Sequence, residues 1–227
     1  EQALLMDPQI SSESDRLNIY DAVAHEMAHQ WFGNLVTMEW WDDLWLNEGY
    51  ATWMAEKAAS TLRSQWNVPL LTVKWPREFA LQSDASDATH PSVQRGASVD
   101  AASQAFDANT HNKASAVIRM LEASLGETGF RDGIRRYVRR YAYDNTVTDQ
   151  LWSELASATN RPVIDIARDF TLQPGVPLVK AVAGRCESGR TRVTLTQGRF
   201  ETGTPSPVAL TWRIPVVLQA IDSRATA

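Results

Sequence analysis

His25-Glu26-Met27-Ala28-His29 is the most informative stretch of this chain, and it lies within a helical pattern of apolar residues. Histidines four positions apart project from one face of an α-helix, about one turn apart, so both imidazoles can reach one metal ion. Glu26 directly follows the first histidine, which puts its carboxylate beside the metal without binding it. A general base for a metal-activated water occupies this place. The stretch therefore predicts a catalytic metal site.

A third protein ligand is expected, because catalytic zinc usually takes three and leaves a fourth position for water or substrate. Glu48 begins a second amphipathic segment, and a helix packed against the first would bring its carboxylate to the metal. Taken alone, Glu48 could equally be a first-turn glutamate favoured by the helix dipole. The upstream motif decides in favour of the ligand, and the predicted metal site is His25, His29 and Glu48.

Two runs, HEMAHQWFGNLVTM at residues 25–38 and WWDDLWLNEG at residues 40–49, resemble the aminopeptidase N family of zinc metallopeptidases. In that family eighteen residues separate the H-E-x-x-H motif from the glutamate ligand, and eighteen separate His29 from Glu48 here. The resemblance extends over about residues 1–178. It implies one Zn²⁺ per chain, Glu26 as the general base, a thermolysin-like catalytic domain of the gluzincin type, and removal of single residues from peptides with a free N-terminus.

A second family segment departs from the pattern. The family stabilises the oxyanion of the tetrahedral intermediate with a tyrosine in an F-D-x-x-x-Y-x-K-G-like segment. Residues 106–114 read FDANTHNKA, with His111 in place of the tyrosine and Ala114 in place of the glycine. An imidazole N–H can also donate to an oxyanion, so His111 is expected to act with Glu26 as a catalytic residue. The alternative is a helix-start histidine without a role. His90, before Pro91, is interpreted as a turn residue.

Composition narrows the classes of partner. The net charge of −5 argues against a nucleic-acid partner, and no apolar run is long enough for a membrane span. A single cysteine, Cys186, excludes an intramolecular disulfide.

The first residues do not resemble a signal peptide. They resemble the segment after the family's Gly-x-Met-Glu-Asn motif, which binds the substrate's amino group and is absent here. We therefore expect upstream sequence in a longer protein, and localisation stays open.

The pattern of apolar residues predicts a mainly α-helical catalytic domain of thermolysin-like type over residues 1–176, with its N-terminal part missing. Ser14 is the expected N-cap of the first helix. Residues 177–227 are rich in β-formers and predict the first strands of a β-sandwich domain. The predicted helices cover residues 14–33, 44–62, 69–83, 109–125, 127–142, 148–158 and 162–170. The predicted strands cover 178–183, 191–196, 210–214 and 216–221.

Two other functions remain open beside a zinc aminopeptidase. A thermolysin-like endopeptidase would use the same metal site but would not select a free N-terminus. A non-catalytic zinc domain with a peptide-binding or scaffolding role would explain His111. Glu26 argues against the second alternative, because a structural zinc site needs no general base and usually fills all four positions with protein ligands.

Overall fold

The computed structural model describes residues 4–7, 9–74, 76–94, 106–203 and 208–218, and this part of the chain is mostly helical. The helices are α1 Glu13–Ala28, α2 Trp45–Leu62, α3 Val68–Lys74, α4 Pro76–Asp84, a π-helical turn Asn109–Lys113, α5 Ala114–Leu125, α6 Glu127–Arg140, α7 Thr148–Thr159 and α8 Val163–Thr171. Short 3₁₀ turns cover Trp41–Asp43 and Ser64–Trp66. No helix in the described ranges is long and apolar enough to cross a membrane.

Helix α2 forms the centre of the hydrophobic core. Trp45 and Tyr50 are almost fully buried on it, and Trp45 stacks on Trp152 of α7 with 5.2 Å between ring centroids. The indole N–H of Trp45 donates to Thr148 Oγ1 over 2.8 Å, which satisfies a polar group that burial would otherwise leave unpaired. This packing fixes α2, and with it the first-turn residue Glu48.

Helix α1 begins and ends earlier than the sequence pattern predicts. Ser12 is its N-cap, so the prediction of Ser14 is wrong. Ser12 Oγ accepts from the Asp15 N–H, and the Asp15 carboxylate accepts from the Ser12 N–H, which completes a capping box. The helix ends at Ala28, because the chain turns back through Gly33, whose φ of +131° suits a residue without a side chain.

Two more predicted helices differ from the structure, and a third is confirmed. The helix predicted over 69–83 is divided into α3 and α4 near Pro76, whose ring removes a backbone donor. The helix predicted from residue 109 begins with a π-helical turn. The helix predicted over 148–158 forms as α7. At its start the Gln150 side chain accepts from the Val147 N–H, and the Thr148 hydroxyl bonds to Asp43.

The described strands form two small sheets. Strands β1 Val36–Met38 and β2 Asp144–Thr146 pair in parallel, and β3 Pro177–Glu187 pairs antiparallel with β4 Arg190–Arg199. The hairpin confirms the strands predicted over 178–183 and 191–196. Its turn places Ser188 and Gly189 at φ of +51° and +74°, as a two-residue hairpin turn of primed type requires.

The strands predicted over 210–214 and 216–221 do not form within residues 208–218, and residues 219–221 lie outside the described part. In this segment, hydrogen bonds from a side chain replace the backbone pairing of a strand. The Gln197 amide donates to the Trp212 carbonyl over 3.0 Å and accepts from the Trp212 N–H over 2.9 Å. Trp212 is buried against the helical core through this contact. The division into a catalytic domain and a β-sandwich stays a prediction.

Candidate metal centre

Helices α1 and α2 bring the three predicted metal ligands together. His25 lies in the last turn of α1, and His29 is the residue that caps its C-terminus. Their Nε2 atoms are 3.1 Å apart. Glu48, in the first turn of α2, places Oε2 at 3.2 Å from His25 Nε2 and 3.5 Å from His29 Nε2. Three donor atoms from two helices therefore surround one point.

The spacing of these donors fits a tetrahedral zinc ion. Zinc bonds to nitrogen and oxygen of about 2.0–2.1 Å put two ligands of a tetrahedron about 3.3 Å apart. The three observed separations, 3.1, 3.2 and 3.5 Å, bracket that value. The donor set, two imidazoles and a carboxylate, is also one that catalytic zinc uses.

Hydrogen bonds on the far side of each ring orient the two histidines. His29 Nδ1 donates to the Phe32 carbonyl over 2.9 Å. A carbonyl only accepts, so in the neutral ring of His29 the Nε2 atom carries a lone pair. His25 Nδ1 lies 3.4 Å from the hydroxyl of Thr52, one turn after Glu48 on α2. Metal-binding histidines are commonly oriented by such outer partners.

Glu48 is buried, with 9% of its surface exposed. Burial acts to raise the pKa of Glu48, but hydrogen bonds with the surrounding histidines, His111 first, hold it well below its usual range. The side chain is therefore a carboxylate throughout the pH range in which proteins work. A buried carboxylate facing imidazole lone pairs is stabilised by a proton or a metal cation between them.

Glu26 differs from the three donors in its surroundings. It is exposed, and it makes no hydrogen bond or ion pair within the described ranges. It lies close enough to His29 for its charge to contribute to the raised pKa of that ring, behind the larger effect of the hydrogen bond to Glu48. A carboxylate beside the donors, with no hydrogen bond or ion pair in the described ranges, is open to contact with a water or a substrate.

His111 also lies at this centre. Its Nε2 is 3.1 Å from Glu48 Oε2, and its ring stacks at 6.0 Å on that of His25. One donor atom each from His25, Glu48 and His111 lie within 4.8 Å of one another, so these residues form a second group able to hold a metal ion. Burial acts to lower the pKa of His111, but its hydrogen bonds to Glu48 and to the Asp107 carbonyl raise it on balance.

The interpretation of His90 as a turn residue missed a polar contact. His90 Nε2 is 2.5 Å from Asp107 Oδ2, and this contact raises the pKa of His90 despite its partial burial. The other oxygen of Asp107 accepts the backbone N–H groups of Asn109 and Thr110, which begin the π-helical turn. The only sequence signal for this role was the position of Asp107 in the F-D segment.

A close approach of two helices brings His111 to Glu48. A Cβ atom on Gly49 would lie 2.5 Å from the Cβ of Ala114, so only glycine fits on α2 at this contact. Ala114 directly follows the π-helical turn that carries His111. The missing side chain of Gly49 therefore makes room for the alanine that replaces a glycine in the family segment.

Comparison with known proteins identifies the family of this chain. The model of the family described as "Peptidase family M1 domain" matches residues 1–170. The chain is 38% identical over 221 residues to Aminopeptidase M1 of Arabidopsis thaliana, covering 96% of this chain and 24% of that protein. It is 37% identical over 220 residues to Leucyl aminopeptidase of Saccharolobus solfataricus, covering 96% of the chain and 27% of the relative.

A third relative is the Alanine/arginine aminopeptidase of Saccharomyces cerevisiae, 35% identical over 221 residues, which are 97% of this chain and 25% of the yeast protein. The chain thus spans about a quarter of the length of the curated relatives it matches.

Proposed function

Because this chain belongs to peptidase family M1, the aminopeptidase N family, we propose that it carries the metal centre of a zinc-dependent aminopeptidase. Its substrates would be peptides with a free N-terminus. The proposal includes a thermolysin-like fold for residues 1–176, with a β-sandwich beginning at residue 177. The family and the aminopeptidase relatives support the general activity, and zinc, mechanism and substrate selection are our inference.

The observation that carries the proposal is the geometry of three donors beside a free carboxylate. His25, His29 and Glu48 present donor atoms 3.1–3.5 Å apart, which suits one zinc ion. Glu26 lies next to them, exposed and unpaired within the described ranges. A site built only to hold a metal does not require such a carboxylate.

Zinc, when bound, supplies the Lewis acidity that polarises a peptide carbonyl and makes water a better nucleophile. Glu26 accepts a proton as the water attacks the scissile carbonyl carbon, and then donates that proton to the leaving amine. One carboxylate thereby serves first as base and then as acid. Its exposure, with no competing hydrogen bond within the described ranges, suits both steps.

His111 belongs to the proposal as the second group at the reacting carbonyl. Its position 3.1 Å from Glu48 supports a role in stabilising the oxyanion. Because Nδ1 donates to the Asp107 carbonyl, Nε2 carries a proton only when the ring is an imidazolium. His111 therefore donates to the oxyanion only in its protonated form, unlike the tyrosine hydroxyl that the family uses.

Hydrolysis of aminoacyl arylamides by the full-length protein tests this function. We expect cleavage that a chelator abolishes and added zinc restores. An N-acetylated form of the same substrate is the matched control, and it should not be cleaved. Equal cleavage of both substrates would identify an endopeptidase rather than an aminopeptidase.

One observation favours a second candidate, a non-catalytic zinc domain. His111 joins His25 and Glu48 in a group able to bind metal, and a site with four protein ligands is typical of structural zinc. This candidate predicts a protein that binds zinc and peptides without cleaving either substrate.

A further inference from the structure

We propose that His111 is a fourth protein ligand of the metal in the resting protein, so that the site is a closed His₃Glu shell until substrate enters. The inference rests on the proposed function for the identity of the metal, and goes beyond it in assigning the fourth position. Three observations carry it: the place of the His111 ring, its tautomer and the support beneath it.

Relative to the Glu48 carboxylate, the His111 ring lies as close as the other two imidazoles. His111 Nε2 is 3.1 Å from Glu48 Oε2, compared with 3.2 Å for His25 and 3.5 Å for His29. With 71% of its side chain covered, His111 faces the centre rather than solvent. The shared oxygen of Glu48 is therefore surrounded by three imidazole nitrogens at similar distances.

The tautomer favours coordination. His111 Nδ1 donates to the Asp107 carbonyl over 2.9 Å, so the neutral ring presents a lone pair at Nε2. His29 is arranged in the same way, with Nδ1 on the Phe32 carbonyl. A lone pair can coordinate a metal but cannot donate a hydrogen bond to an oxyanion. The neutral ring of His111 is thus prepared to be a ligand without any change of proton.

Asp107 and the π-helical turn keep the His111 ring in this arrangement. One carboxylate oxygen of Asp107 accepts hydrogen bonds from the backbone N–H groups of Asn109 and Thr110, two buried residues. The second oxygen bonds to His90. The π-helical turn closes with the Ala114 N–H on the Asn109 carbonyl, five residues back. Such turns widen a helix locally, and they are frequent at functional sites. The turn that carries His111 is therefore fixed by buried residues and by hydrogen bonds.

A closed shell would change how the site works. Catalytic zinc sites keep one position free, so the His111 ring must move away from the centre before a water and a peptide carbonyl can both approach. His111 would thereby hold the site latent in the absence of substrate.

X-ray absorption spectroscopy of the zinc-loaded full-length protein tests the inference by counting imidazole ligands. We expect three in the natural protein and two in His111→Ala. Competition with a chromophoric chelator should show zinc affinity about 10²-fold weaker in His111→Ala, because even loss of an outer partner costs 10–100-fold. Asn112→Ala, the next position in the same turn, is the matched control and should keep three imidazoles and unchanged affinity.

Two imidazoles in the natural protein, or equal zinc affinity in His111→Ala, would overturn the inference. The count on the natural protein decides the matter even if the variant does not fold. Two imidazoles in an active aminopeptidase would remove this inference and leave the proposed function intact. Three imidazoles in a protein without peptidase activity would support the inference and remove the proposed function. A protein that binds no zinc would overturn both.

Discussion

The two sides of the metal centre are built in different ways. On one side, α1 and α2 provide His25, His29 and Glu48, and the repeat of the helix sets the spacing of the two histidines. On the other side, His111 comes from a π-helical turn much later in the chain. Its Nδ1 donates to the backbone carbonyl of Asp107, and the Asp107 side chain bonds in turn to His90. Helix geometry places the first side, and tertiary contacts place the second.

This difference predicts which substitutions should remove the metal and which should leave it bound. The α1–α2 side needs only two packed helices, and Trp45 and Tyr50 anchor α2 in the core. The His111 side depends on the hydrogen bond between His90 and Asp107 and on the close contact of Gly49 with Ala114. Changes on the first side should therefore remove the metal. Changes in the residues that support His111 should alter the surroundings of the metal while the metal stays bound.

Loss of a ligand on the α1–α2 side should have the largest effect. His25→Ala, His29→Ala and Glu48→Ala should each weaken zinc binding by more than about 10²-fold, because loss of an outer partner alone already reaches that value. Metal analysis after dialysis against a weak chelator measures this. Glu39→Ala, an exposed glutamate, is the control and should keep its zinc. Stoichiometric zinc in Glu48→Ala would show that the ligand set is wrong.

Gly49→Ala should break the contact between the two sides. Its new Cβ would lie 2.5 Å from the Cβ of Ala114, and overpacking of this kind costs about 1–3 kcal/mol of unfolding free energy. Thermal or denaturant unfolding measures the loss. The double variant with Ala114→Gly restores the space and should recover most of it. A stable Gly49→Ala protein would mean that the helices are not in close contact here.

His90→Gln should have the smallest effect, and only on the second side. It replaces the imidazole partner of Asp107, in a partly exposed hydrogen bond to a charged group, with a neutral amide. We therefore expect about 1 kcal/mol of lost stability at most, after allowance for solvent screening. Zinc should stay bound through the α1–α2 side. Loss of zinc in this variant would contradict the division of the centre into independently placed sides.

The first side could be predicted from the sequence because its information is local. The four-residue spacing of the histidines and the eighteen residues before Glu48 anticipate the donors that the structure brings together. The role of Asp107, the contact of His90 and the π-helical turn depend on which atoms meet after folding. The N-cap shows the same limit, because the choice of Ser12 over the predicted Ser14 depends on the hydrogen bonds that Ser12 and Asp15 exchange after folding.

The later strands were predicted wrongly for a related reason. Residues 210–214 have β-forming composition, but a strand also needs a partner with free backbone groups. In the structure the Gln197 side chain bonds both backbone groups of Trp212, and the Asp169 carboxylate accepts the Arg213 N–H. Composition describes the preference of a segment and does not show which neighbour will satisfy its backbone.

The most direct test of the proposed function compares zinc content and turnover in Glu26→Gln. Glutamine keeps the shape of the side chain and removes its ability to accept a proton. We predict one zinc per chain, as in the natural protein, and aminoacyl-arylamide turnover lower by about 10²–10⁴-fold, the usual contribution of a general base. Normal turnover in Glu26→Gln, or loss of its zinc, would contradict the assignment of Glu26 as the base beside a metal held by His25, His29 and Glu48.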